Sequence, residues 1–276
     1  TSYDLAVPSE YMIEKMKADN LLLPLDHSKL TGLNNYDSRF LNQSFDKGNK
    51  YSVPYFWGTL GIIYNDKYVK AKDIQHWDDL WSSKFKNQIM LIDSARDVLG
   101  ITLITQGKSV NNKSVADLAA AQGKLTTLMP NVKAIIADEI KMYMAQDEAA
   151  IAVTYSGEAA EAMDKNSHLH YVVPSEGSNL WFDNIVMPKN AKHKAAAYAF
   201  LNFMSEPKNA AQNAEYIGYA TPNKKALSLL PKSIREDKQF YPDEKTVRNL
   251  QTYDDLGQKW TEKYNDAFLE FKMTQR

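Results

Sequence analysis

Ser9 and Tyr11, Ser94 and Asp97, Tyr155 and Glu158, and Trp181 and Asp183 set hydroxyls, rings and carboxylates two or three residues apart. Aromatic faces attract a cation by about 0.5–2 kcal/mol each, and carboxylates add charge-assisted hydrogen bonds to an ammonium. Together they are suited to an organic cation. A ligand with several ammonium groups separated by methylenes, such as a polyamine, needs carboxylates at its nitrogens and flat apolar walls along its carbons. Asp183 is the most informative of the set. It interrupts Leu180-Trp181-Phe182-Asp183-Asn184-Ile185-Val186-Met187, an otherwise apolar strand in which a buried carboxylate needs a partner or a ligand cation. Asp97 has a competing role as a first-turn helix acid, favoured there by the macrodipole, and any of the rings taken singly also suits a core or a rim.

Other chemistries have less support. His168-Leu169-His170 puts two imidazoles on one strand face, but no further ligand cluster accompanies them, so no metal site is expected. Asp78-Asp79 and Asp254-Asp255 are sequential acids in charged, helix-like surroundings, which reads as a solvated face rather than a hydrolytic pair. There is no G-x-G-x-x-G, P-loop or G-x-S-x-G, and Tyr155-Ser156-Gly157-Glu158 lacks the first glycine of a nucleophile elbow. No catalytic residue and no cofactor are therefore expected. With 33 basic and 34 acidic side chains the net charge is -1, and Lys67 to Lys72 lacks interleaved stacking rings, which disfavours nucleic acid. The absence of cysteine excludes disulfides and thiolate sites, and no apolar run approaches the length of a membrane span.

The elements that must position these residues alternate along the chain. Strand patterns are read over 3–8, 58–65, 88–92, 132–136, 150–155, 168–173 and 180–187. Helices are expected over 10–18, with Ser9 as its cap and Tyr11, Ile13 and Met16 able to pack, and then over 115–128, 139–145, 158–165, 192–204, 207–216 and 256–271, with a helical turn at 77–81. Strands separated by helices imply βαβ units and largely parallel sheets in an α/β fold, and 276 residues favour two lobes. In such sheets ligands lie beyond the carboxyl ends of strands, and this rule selects the residues named above.

Six segments carry a resemblance: Tyr3-Asp4-Leu5-Ala6-Val7-Pro8-Ser9-Glu10-Tyr11, Tyr51-Ser52-Val53-Pro54-Tyr55-Phe56-Trp57-Gly58, Trp77-Asp78-Asp79-Leu80-Trp81, Leu128-Met129-Pro130-Asn131-Val132, Trp181-Phe182-Asp183 and Ile217-Gly218-Tyr219-Ala220-Thr221-Pro222-Asn223. In this order the chain resembles, nearly end to end, the spermidine/putrescine-binding proteins of polyamine ABC importers. The resemblance implies a two-lobed periplasmic-binding-protein fold of type II with a two-strand hinge, closing on a polyamine that passes to a membrane permease. It implies lobes of residues 1–62 with 184–235 and 63–183 with 236–276. Carried over, Ser9, Tyr11 and Tyr219 line the site from the first lobe, Asp97 binds an amine, Tyr155 stands where the family has a walling Trp, and Trp181 and Asp183 are the central ring and carboxylate.

Departures from the family pattern fall at Ser94, where some members have a second acid, at Tyr253, where some have Gln, and at Glu158, an acid where the family is often uncharged. Glu158 is accordingly expected to replace the acid missing at Ser94. The chain also begins without the family's first strand, helix and strand. It reads as N-terminally shortened, with an exposed sheet edge that an oligomer would cover. The resemblance places the protein outside the cytoplasm. A binder of another small cation or a metal in the same fold, and a carboxylate-pair hydrolase, are the competing readings.

Overall fold

The computed structural model describes residues 3–275. Its strands are β1 Ser52–Asn65, β2 Ile89–Ile92, β3 Val132–Ile136, β4 Ile151–Tyr155, β5 Leu169–Val172, β6 Ser178–Val186 and β7 Leu250–Gln251. The helices are α1 Glu10–Ala18, α2 Ala95–Thr105, α3 Val115–Thr126, α4 Ile140–Ala145, α5 Ser156–Lys165, α6 Lys194–Ser205, α7 Pro207–Ile217, α8 Lys224–Leu227, α9 Lys232–Arg235, α10 Glu244–Arg248 and α11 Gln258–Met273. The α/β class follows the alternation in the sequence. The chain divides into two compact units: residues 1–58, 181–237 and 252–255, and residues 59–180, 238–251 and 256–276. The chain passes between the units within β1 and within β6, and three more times after residues 237, 251 and 255.

In the first unit, Leu25, Tyr36, Val53, Ile185, Met187, Ala197 and Leu201 form one buried cluster. A second group is aromatic: Phe40 lies 4.5 Å from Trp57 and 5.9 Å from Phe182, and Phe182 lies 5.7 Å from Phe45, between ring centroids. The expected opening strand at 3–8 is reduced to single bridges, because only Ala6 and Ser9 pair, with Val186 and Asp183. Pro8 has no N–H to donate, so a regular ladder cannot run through it.

The strands are ordered β3-β2-β4-β1-β6-β7, with β5 also on β1, and β2, β3, β4, β5 and β7 lie wholly in the second unit. The sheet is mixed rather than largely parallel: β2 is parallel to β3 and β4, and β6 to β7, whereas β1 is antiparallel to both β4 and β5. Buried strands read as apolar runs whichever way their neighbours point, so periodicity does not fix direction. Ser-x-x-Asp opens two helices here, the hydroxyls of Ser94 and Ser114 accepting the N–H of Asp97 at 3.4 Å and of Asp117 at 3.3 Å. Helix α2, whose residues 97–104 are all buried, packs against α3 and α11. Gly61 permits a close approach: a Cβ there would sit 2.4 Å from the Tyr171 ring and 2.7 Å from the Val172 carbonyl.

Candidate functional site

In the first unit the site is built around the middle of β6. Trp181 and Asp183 stand two residues apart and share a face, while the intervening Phe182 and the following Asn184 are fully buried on the other. They are therefore mid-strand residues, not strand-end ones, and what located Asp183 was its charge in an apolar run. Residues 6–9 lie antiparallel along 183–186: Ala6 and Val186 exchange both backbone bonds, at 3.0 and 2.9 Å, the Asn184 N–H donates to the Pro8 carbonyl at 3.2 Å, and Ser9 faces Asp183.

The Asp183 carboxylate is half-buried and has no hydrogen-bond or ion-pair partner among the described residues, and burial pushes its carboxyl up from the ordinary value. Beside it, Trp181 meets Tyr219 edge to face, centroids 5.7 Å apart at 70°. Tyr219 also meets Phe56 edge to face, at 5.6 Å and 78°. Helix α7 ends at Gly218 in a left-handed turn with φ 80°, which a residue without Cβ adopts at little cost. The next residues are tied down by Trp57, whose backbone and indole N–H groups donate to the carbonyls of Ala220 at 3.1 Å and Thr221 at 3.2 Å.

Of the other expected residues in this unit, Tyr253 is buried, and Tyr11 is 47% exposed rather than packed. The core face of α1 is carried by Ile13, and Ser9 precedes the helix without a side-chain cap. In the sequence Glu10 stands out only as the residue that opens a helix. It is 1% exposed, and its Oε2 accepts the Phe182 N–H at 3.0 Å.

In the second unit the parallel strands β2 and β4 bring Ser94, Asp97 and Tyr155 to their carboxyl ends, as the strand-end rule expects. Asp97 is 1% exposed, and the Tyr155 hydroxyl donates to its Oδ2 at 2.5 Å. Ser94 spends its hydroxyl on the helix cap. Glu158 is engaged by Lys141, whose Nζ lies 2.9 Å from it and 2.7 Å from Glu161; these two acids, Glu161 first, hold the Lys141 ammonium well above its usual range. His168 and His170 share Asp66, at 2.7 and 2.9 Å, and the imidazoles, His170 first, hold that carboxyl below its ordinary value. Among the described residues no three or more His, Cys, Asp or Glu side chains are arranged to hold a metal ion, and no helix is long and apolar enough to cross a membrane.

Each unit thus carries rings next to a carboxylate: Trp181 and Tyr219 with Asp183 in one, Tyr155 with Asp97 in the other. Comparison with known proteins gives the same direction. The family model described as bacterial extracellular solute-binding protein matches residues 1–242. The spermidine/putrescine-binding periplasmic protein of Escherichia coli is 38% identical over 256 residues, covering 93% of this chain and 74% of that protein. A putrescine/cadaverine-binding protein of Pseudomonas aeruginosa is 28% identical over 99% of this chain and 80% of its own length. Among solved structures, the spermidine/putrescine ABC transporter substrate-binding protein PotD of Streptococcus pneumoniae superposes with a TM-score of 0.96 at 56% identity, covering 100% of this chain and 85% of that one.

Proposed function

Since the chain belongs to the bacterial extracellular solute-binding protein family, we propose that its solute is a polyamine, putrescine or spermidine, held without chemical change outside the cytoplasm and delivered to a membrane ABC permease. The observation that carries this reading is Asp183: a half-buried carboxylate with no partner of its own, next to a ring pair. A partnerless buried charge is costly until a cation meets it. The names of the relatives, which bind spermidine, putrescine or cadaverine, support the same solute class.

The chemistry follows from the groups present. An ammonium sheds water on entry, and carboxylates already fixed in place repay that cost without a further ordering penalty. Asp183 supplies the charge in the first unit, and Trp181 and Tyr219 supply faces for a cation and its adjoining methylenes. In the second unit the Tyr155 hydroxyl holds the Asp97 carboxylate in one orientation. Each set is chemically complete for one ammonium group. Ser9, Tyr11, Ser94, Tyr253 and Glu158 belong to the proposal as neighbouring residues, with Glu158 the least available because Lys141 pairs with it.

A thermal-shift series tests the reading. Putrescine and spermidine should raise the melting temperature in a concentration-dependent way, as any ligand of the native state does, whereas butylamine, with a single ammonium on the same carbon chain, should raise it far less. Equal shifts with butylamine, or none with either polyamine, would contradict it.

A further inference from the structure

Glu10 completes a ladder that its own main chain has left. Running along the pair of segments, Val186 N–H donates to the Ala6 carbonyl and Asn184 N–H to the Pro8 carbonyl, at 2.9 and 3.2 Å. Antiparallel register puts the next rung between Phe182 N–H and the carbonyl of residue 10. That carbonyl is unavailable because the chain turns into α1 at Glu10. The side chain takes its place: Oε2 accepts the Phe182 N–H at 3.0 Å. Both Glu10 and Phe182 are buried, at 1% and 0% exposure, so water cannot stand in for the bond.

The rung falls on the peptide between the two residues that matter most to the proposed site. Phe182 separates Trp181 from Asp183, and both neighbours depend on the path of that backbone for their direction. We propose that Glu10 is a positioning residue for polyamine capture: by holding the Phe182 N–H it fixes the Trp181–Asp183 stretch of β6 in the conformation that receives the ligand. This rests on the polyamine reading above. It assigns Glu10 no contact with the ligand, and it explains why an acid is tolerated at a buried helix start, where a carboxylate is an effective acceptor for a backbone N–H and suits the positive end of the helix dipole.

The test combines putrescine affinity with exchange of the Phe182 amide in ligand-free protein. Glu10→Met keeps the length of the side chain and removes the acceptor; it should weaken putrescine binding at least about tenfold and expose the Phe182 amide to exchange. Glu10→Gln keeps an acceptor oxygen at the same reach, and should restore amide protection and bring affinity to within about threefold of the natural protein. Glu10→Asp retains the charge but draws the oxygen back by one methylene, and should fall with Glu10→Met; it also serves if Glu10→Met does not fold. Wild-type affinity in both Met and Asp variants would overturn the proposal, as would a Gln variant as weak as Met, since that would make the charge and not the bond the active feature. If the natural protein itself binds no polyamine, the function proposed above falls, and amide exchange alone then decides whether Glu10 holds the strand.

Discussion

At Asp183 the protein gives up stability for a charge it can use. Burial raises the folded-state pKa above the ordinary 3.8, so the native state holds the proton more tightly than the unfolded chain. The contribution to stability is then complete below the ordinary value and is lost as pH rises through the raised one. Asp183→Asn should therefore melt higher than the natural protein at neutral pH without ligand, and the advantage should disappear at acid pH; a lower melting temperature at neutral pH would mean the carboxylate has a stabilising partner. The same titration weakens ligand capture as pH falls, because a protonated Asp183 offers an ammonium no charge. At Tyr155 the expectation is different. Tyr155→Phe removes the 2.5 Å bond to a carboxylate that is 1% exposed, and should cost about 1–2 kcal/mol in denaturant unfolding, read as a lower midpoint at unchanged slope. An unchanged midpoint would show that Asp97 is held by its other contacts.

Most helices and strands are legible in the chain, and the exceptions have local causes. The segments that become α3, α5, α7 and α11 carry clear periodicity, and β2 and β4 are short apolar runs with polar residues at their carboxyl ends. What periodicity does not carry is partnership. The antiparallel setting of β1 against β4 and β5 depends on residues far away in sequence, and so does the Glu10 bond, which spans 172 positions. Asp183 was legible because a charge in an apolar strand needs an explanation; Tyr219 and Tyr253 were legible only through resemblance. Gly61 offers an element-scale test. Gly61→Ala would press a methyl against Tyr171 and the β5 backbone, and overpacking of this kind costs about 1–3 kcal/mol, visible as a lowered unfolding midpoint. Lys141 of α4 offsets the charge of Glu158 on α5, so Glu158→Gln should change putrescine affinity less than about threefold. A loss beyond about tenfold would instead make Glu158 the substitute for the acid absent at Ser94.

For the molecule as a whole, a net charge of -1 gives no broad field to gather cations, so recognition has to come from a few fixed groups. That agrees with membership of a family of extracellular solute binders. Titration calorimetry of putrescine into the natural protein and into Asp183→Asn at neutral pH tests this most directly. The account predicts saturable binding by the natural protein and a loss of at least about tenfold in the variant, the scale expected when one member of a desolvated charge pair is removed. Equal affinity in the two proteins would contradict it.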